Sequence, residues 1–207
     1  ENYKEIFMKI GILALQGDYF KHEQLVLKLG WNCIRVRYKK DFSSLDGLII
    51  PGGESTTLTK LLKATGLFVP LKEFAETHPI LGTCAGLILM SSESSDTRVS
   101  PLGLLNIKVE RNAFGRQIHS FTAKLDMAES DRIIQGTFIR APKISQLDVN
   151  VEVLAKLDDE PVAVRQGNHI GLAFHPELNN EPIFHTMAFF PPDKKMNHSN
   201  LVMNHAH

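Results

Sequence analysis

Two textures of hydrophobic patterning divide the chain. In the first half, short continuous apolar runs alternate with segments whose apolar residues are spaced among polar ones. Lys9-Ile10-Gly11-Ile12-Leu13-Ala14-Leu15 is continuous, as expected of a strand buried on both faces. Gln16-Gly17-Asp18 ends it. From Tyr19 to Leu29, the residues Phe20, Leu25, Leu27 and Leu29 lie among polar ones, which predicts a surface helix stopped by Gly30. Asn32 to Val36 reads as a second strand and Gly47-Leu48-Ile49-Ile50 as a third. The third runs into Pro51-Gly52-Gly53-Glu54-Ser55-Thr56-Thr57, where Ser55 or Thr56 is placed to cap a helix over Leu58 to Ala64. Leu67 to Thr77 is a further amphipathic helix. Pro79-Ile80-Leu81 is then a strand, and Leu87-Ile88-Leu89-Met90 belongs to the helix after it. Repeated β-α-β order predicts an α/β fold with a parallel, doubly wound sheet.

After Met90 the texture changes. Ser91 to Ser100 is polar and reads as a loop. Short alternating runs follow at Ile107–Glu110, Ser120–Leu125, Gly136–Ile139, Val151–Leu157 and Val162–Val164, predicting hairpins and antiparallel additions. Ile170-Gly171-Leu172-Ala173-Phe174 is the last strand, ended by Pro176, which cannot continue a central strand. A helix over Pro182 to Phe190 closes the pattern, and Pro191-Pro192 stops it.

Length and charge narrow the picture. The chain has 207 residues, which suits one domain, expected over 8–190, with 1–7 an N-terminal extension and 191–207 a polar, flexible tail. Lysine plus arginine and aspartate plus glutamate both number 23, so no charge excess points to nucleic acid or an anionic membrane. No apolar run reaches membrane-spanning length. The two cysteines, Cys33 and Cys84, form neither a disulfide framework nor a zinc-ligand spacing; a reducing cytoplasm and no metal are the expectations. Cys33, inside a strand, reads as a small core residue.

Cys84 stands elsewhere. Gly82-Thr83-Cys84-Ala85-Gly86 has the Gly-x-Cys-x-Gly form, the cysteine counterpart of the serine nucleophile elbow, between a strand and a helix. A nucleophile on such a turn sits in a strained conformation, so its neighbours must be small. The helix that follows aims its N–H groups and dipole at the turn and favours a negatively charged sulfur. Taken alone, the same turn would also suit a buried structural cysteine. A partner lies at the tip of the last strand. His175 follows that strand at once, and Glu177 is two positions on, where its side chain leaves the same side of an extended segment. The expected roles are Cys84 as nucleophile, His175 as base and Glu177 as its orienter. The remaining histidines, including His22 and His185, have no carboxylate two residues on. The glycine pair after the third strand presents backbone N–H groups suited to a developing oxyanion.

These residues resemble the class I, triad-type glutamine amidotransferases. Within that class, Leu15-Gln16-Gly17-Asp18, Pro51-Gly52-Gly53-Glu54-Ser55-Thr56-Thr57, Glu110-Arg111-Asn112-Ala113-Phe114-Gly115-Arg116-Gln117 and Phe138-Ile139-Arg140-Ala141-Pro142 are similar to blocks of the glutaminase subunits of pyridoxal 5'-phosphate synthase, and the similarity runs over about 8–190. The resemblance implies a flavodoxin-like doubly wound, mostly parallel sheet with antiparallel additions. It implies hydrolysis of L-glutamine to L-glutamate and ammonia, with ammonia passed to a TIM-barrel synthase subunit in a large hetero-oligomer. It implies no cofactor, since pyridoxal 5'-phosphate is what the complex makes. Residue by residue, it implies an oxyanion hole from the N–H groups of Gly53 and Ala85. It places glutamine recognition on Gly53, Glu54, Ser55, Arg111, Ile139 and Arg140, and contact with the synthase on Gln16, Gly17 and Asp18. Asn179-Asn180 departs from the family pattern and is expected to lie away from the chemistry. Another flavodoxin-like cysteine hydrolase, or a non-catalytic binding subunit of the same fold, are the alternatives.

Overall fold

The computed structural model describes residues 8–111 and 120–190. The block from Asn112 to Gln117, the N-terminal extension and the polar tail lie outside the described residues.

The first half follows the apolar pattern closely: β1 (Lys9–Leu13), α1 (Tyr19–Lys28), β2 (Asn32–Val36), β3 (Gly47–Ile50), α2 (Ser55–Ala64), α3 (Phe68–Ala75), β4 (Ile80–Thr83) and α4 (Ala85–Met90). The second half supplies β5 (Ser91–Ser94), β6 (Leu105–Glu110), β7 (Ser120–Met127), β8 (Ile133–Ile139), β9 (Lys143–Leu147), β10 (Glu152–Leu157), β11 (Glu160–Gln166), β12 (His169–Leu172) and α5 (Ile183–Phe189).

The main sheet has nine strands in the order β2-β1-β3-β4-β12-β11-β10-β7-β8. Its first five strands are parallel. From β11 to β8 every pairing is antiparallel. The continuous runs read as two-sided strands are just that: β3 and β4 are buried at every position. Helices cover both faces. Gly82 faces α4, where an added Cβ would meet Met90 and Gly86, whereas the next side chain, Thr83, reaches His22 of α1 on the other face. Gly86 lets α4 lie directly on β3, for a Cβ there would fall 2.1 Å from the Ile50 carbonyl oxygen.

The polar stretch read as a loop begins with a strand. Ser91–Ser94 pairs in parallel with β6 and, with β9, builds a separate three-stranded sheet. Serine hydroxyls hide the strand in the sequence: Ser91 is buried and donates to the Ile88 carbonyl, and Ser92 donates to that of Ile107. Strand β9 also lies outside the runs read as strands.

A chain of aromatic rings stiffens the end of β12. Phe121 stacks on Phe138 at 4.8 Å between centroids; Phe138 meets Phe174 at 5.5 Å, and Phe174 meets Phe184 of α5 at 5.5 Å. Phe138, Phe174 and Phe184 are fully buried, each worth about 1.5–3 kcal/mol of transfer free energy. Phe174 immediately precedes His175, so this packing anchors the strand tip from which the imidazole projects.

Candidate active site

Strands β4 and β12 are neighbours, with Gly171 opposite Gly82 and Leu172 opposite Thr83. Their carboxyl ends therefore lie side by side, and each carries one reactive group just beyond. On β4 that group is Cys84. Its backbone has φ 50° and ψ −103°, a left-handed conformation that costs a residue with a Cβ on the order of 1–3 kcal/mol. The strain holds because the backbone is fixed on both sides: Cys84 N–H donates to the Leu172 carbonyl, and its own carbonyl accepts from Ile88 N–H at 3.2 Å. The elbow expected from the glycine spacing is thus present.

On the β12 side, His175 Nδ1 lies 2.7 Å from Glu177 Oε1, and both side chains are buried. Pro176 and Glu177 open a 3₁₀ turn, Pro176–Asn179, which swings the carboxylate back under the ring. Burial works to lower the His175 pKa, but its hydrogen bonds with Cys84 and Glu177 outweigh it and push it up to about 10. Burial likewise favours a neutral Glu177, but its contacts with His22 and then His175 outweigh that and hold the carboxyl below its ordinary range. His175 thus lies between the Glu177 carboxylate and the Cys84 thiol, in surroundings that favour a proton on the imidazole.

Strand β8 closes the site from a third side. His175 N–H donates to the Thr137 carbonyl at 2.8 Å. Two residues on, the Ile139 carbonyl accepts from Cys84 Sγ at 3.7 Å. Arg140, exposed, has φ 45° and turns the chain away. Asn179, expected to lie away from the chemistry, accepts a hydrogen bond from Thr137 Oγ1 at 2.8 Å and so braces the residue that holds His175. Asn180 takes the left-handed conformation that ends the 3₁₀ turn, a position asparagine tolerates.

The glycine loop after β3 forms the fourth side. A Cβ on Gly52 would lie 2.4 Å from His175 Cε1, so the loop passes directly over the imidazole. Gly53 has φ 147°, open to glycine alone. The Gly52 carbonyl oxygen lies against Gly17, where a Cβ would approach it to 1.9 Å. In a trans peptide the following N–H points the opposite way, so Gly53 N–H is turned from the Gln16-Gly17 segment. Gln16 Oε1 accepts from Glu54 N–H at 3.1 Å. Gln16, Gly17 and Asp18 therefore pack on the glycine loop, with Gly17 and Asp18 exposed.

Glu54 corrects one expectation. The cap of α2 is neither Ser55 nor Thr56 but Glu54, whose carboxylate accepts from Thr56 N–H at 3.2 Å and Thr57 N–H at 2.6 Å. The longer side chain spans the first turn from outside it, and the helix begins earlier, at Ser55. Burial raises the Glu54 pKa, but the hydroxyl and backbone hydrogen bonds of Thr56 and Thr57 outweigh it and bring it to about 2. Ser55 Oγ is buried without a hydrogen-bond partner among the described residues. Arg111, placed in glutamine recognition by the resemblance, is held by two acids: Nη2 donates to Glu54 at 2.6 Å and Nη1 to Asp96 at 2.6 Å. Ala85, the other expected oxyanion donor, opens α4 and is buried.

Three residues near Cys84, His175 and Glu177 were not singled out in the sequence. His22 Nε2 lies 3.4 Å from Glu177 Oε2 and 3.2 Å from Thr83 Oγ1; His22 Nδ1 lies 3.0 Å from His185 Nε2. All three are fully buried. One signal was present: His22 precedes Leu25 and Val26 by three and four residues, on the buried face of α1.

A parallel sheet carrying a strained cysteine at one strand tip and a His–Glu pair at the next defines the class: this is the flavodoxin-like fold of the class I glutamine amidotransferases. The PurLQS structure from Thermotoga maritima shares that fold with TM-score 0.63 at 15% identity, over 83% of this chain and 89% of that one. A solved glutamine amidotransferase is much nearer, with TM-score 0.82 and 42% identity over 86% of this chain and 96% of that one. The chain belongs to the SNO glutamine amidotransferase family, which it matches over residues 12–190. Among its relatives, the pyridoxal 5'-phosphate synthase subunit PdxT of Carboxydothermus hydrogenoformans is 45% identical over 180 residues, 86% of this chain and 94% of that protein. The PdxT subunit of Dehalococcoides mccartyi is 46% identical over 183 residues, again 86% and 94%.

Proposed function

We propose that this chain is the glutaminase half of a pyridoxal 5'-phosphate synthase. It hydrolyses L-glutamine to L-glutamate and ammonia, using residues 8–190 as one amidotransferase domain, and passes the ammonia to a TIM-barrel synthase subunit in a large hetero-oligomer that makes vitamin B6. It works in the cytoplasm, where its free cysteines stay reduced. It needs no metal or cofactor of its own; pyridoxal 5'-phosphate is the product of the complex.

The observation that carries this reading is the buried 2.7 Å His175–Glu177 pair at the tip of β12, beside the strained Cys84 at the tip of β4. Cys84 sulfur, its proton passed to His175, attacks the side-chain amide carbon of glutamine. The carbonyl π electrons move onto oxygen, and the N–H groups of Gly53 and Ala85 stabilise that charge. The oxyanion re-forms the carbonyl and the carbon–nitrogen bond breaks. The amide nitrogen takes the proton from His175 and leaves as ammonia, giving a thioester. Water then attacks the thioester carbon and gives a proton to neutral His175. Collapse expels the sulfur, which recovers that proton, and releases glutamate. Glu177 fixes the ring so that Nε2 faces sulfur and substrate. Glu54 offers a carboxylate to the α-ammonium group; Arg111, Arg140 and the backbone at Ile139 offer cationic and backbone groups to the α-carboxylate. Ser55 and Gly53 line the same turn. Gln16, Gly17 and Asp18 are the contact with the synthase subunit.

The test is glutamate release from glutamine by the chain together with the synthase subunit, for wild type and Cys84→Ala. Release by the wild type alone is expected. No release by either protein would leave a non-catalytic binding subunit, and release by Cys84→Ala would remove the cysteine mechanism.

A further inference from the structure

Glu177 uses only one of its two oxygens on His175. The other, Oε2, is buried and makes no hydrogen bond of ordinary geometry among the described residues. It faces His22 Nε2 at 3.4 Å, and the same nitrogen lies 3.2 Å from Thr83 Oγ1. An ionised carboxylate only accepts, so a proton on His22 Nε2 is shared between Oε2 and the threonine hydroxyl. Behind His22 stands His185, with Nε2 3.0 Å from His22 Nδ1 and Nδ1 buried without a partner. Full burial lowers the His185 pKa to about 3, so this ring is neutral. With its single proton on Nε2, His185 donates to His22 Nδ1 and leaves a bare ring nitrogen in the core. The opposite tautomer would bury an N–H with no acceptor, the costlier arrangement.

We infer that His22, fixed in its tautomer by His185, is a positioning residue for the glutaminase reaction, holding the second carboxylate oxygen of Glu177 so that the first meets His175 in line. The donors converge on the carboxylate: His185 Nε2–H donates to His22 Nδ1, and His22 Nε2–H and His175 Nδ1–H donate to the two oxygens of Glu177 from opposite sides, with His175 turned toward Cys84 beyond. These contacts join α5, α1 and the tips of β12 and β4 through the core. His22 touches neither substrate nor sulfur; it acts through Glu177. The inference rests on the assignment of Cys84, His175 and Glu177 as the reacting group.

Isosteric substitutions test it in the complete complex with the synthase subunit. Gln places an amide N–H₂ where His has Nε2, Asn places one where His has Nδ1, and Leu matches the bulk without a donor. His22→Leu is expected to lower kcat about 10–100-fold, the cost seen when a partner that orients an active-site ligand is removed, with KM for glutamine within about twofold. His22→Gln is expected within about threefold of wild type, and His22→Asn about tenfold below His22→Gln. Where His22→Leu yields no soluble protein, the Gln–Asn pair decides. Equal kcat for these two, or an unchanged kcat in His22→Leu, would overturn the inference. A rise in KM with kcat unchanged would do so as well, since it would place His22 in substrate binding. Cys84→Ala runs alongside: its retention of activity would condemn the triad assignment, whereas its loss of activity beside a fully active His22→Leu would condemn His22 alone.

Discussion

At the scale of single residues, two thiols in one chain have opposite characters. Cys84 sits on a strained turn against an imidazole. Cys33 lies half-buried in β2, where burial and the neighbouring Glu23 push its pKa up to about 12, so it stays a protonated thiol. A diazo-ketone analogue of glutamine is therefore expected to alkylate Cys84 and not Cys33; peptide mapping checks this, and an adduct on Cys33 would reverse the assignment. His185 makes a second residue-scale prediction. Its folded pKa, about 3, lies below its unfolded value, so between roughly pH 6.5 and 3 the unfolded chain binds the extra proton. Stability from this group is present above pH 6.5 and is lost as pH falls, by up to about 1.4 kcal/mol per pH unit. Urea unfolding at pH 7.5 and 5.0 should show a smaller difference in His185→Leu than in wild type; an equal difference would mean His185 does not titrate this way. Cys84, His175 and Glu177 were legible because each lies just past a strand, within two residues of a glycine or proline that announces the turn. His22, Thr83 and His185 were not, because they lie far apart in the chain and only the docking of α1 and α5 on one face brings them together.

At the scale of elements, the parallel half of the sheet was legible because its strands are buried on both faces and therefore apolar throughout. β5 escaped because its polar side chains hydrogen-bond to main chain. The cap of α2 was misread because Ser and Thr are the usual caps, whereas here the carboxylate of Glu54 serves the helix and also meets Arg111. Helix α4 lies tightly on β3 at Gly86. Gly86→Ala would drive a methyl into the Ile50 carbonyl, whereas a methyl on Gly103, φ 71°, meets nothing within 4 Å and suffers only backbone strain. The expected losses are at least about 3 kcal/mol for Gly86→Ala and about 1–2 kcal/mol for Gly103→Ala, read from urea midpoints. Equal losses would mean that α4 has room to shift.

At the scale of the whole molecule, the Gln16–Asp18 segment, exposed at Gly17 and Asp18, the glycine loop and His175 lie in one line from surface to site. Gly52→Ala is a poor probe of that line, because its methyl would strike the His175 ring directly. Gly17→Ala presses on the Gly52 carbonyl from outside instead. The isolated chain is expected to be a slow glutaminase that the synthase subunit accelerates, by about 10²–10³ in kcat if orienting Gly53 N–H is the step controlled. Steady-state rates with and without the synthase subunit check this in wild type and Gly17→Ala. Equal wild-type rates would refute control by the partner, and a Gly17→Ala protein accelerated as fully as wild type would refute this route.

The pairing of β4 with β12 also sets a clock on synthesis. The ribosome finishes the cysteine elbow long before it makes the strand that lies beside it, and the register Leu172 to Thr83 cannot form until both exist. A nascent chain halted before His175 therefore carries the thiol without the imidazole that faces it. Glutaminase activity regained after dilution from denaturant should follow the slowest structural phase, with no active species preceding it. The catalyst assembles only when the sheet closes across its middle, and an incomplete chain liberates no ammonia.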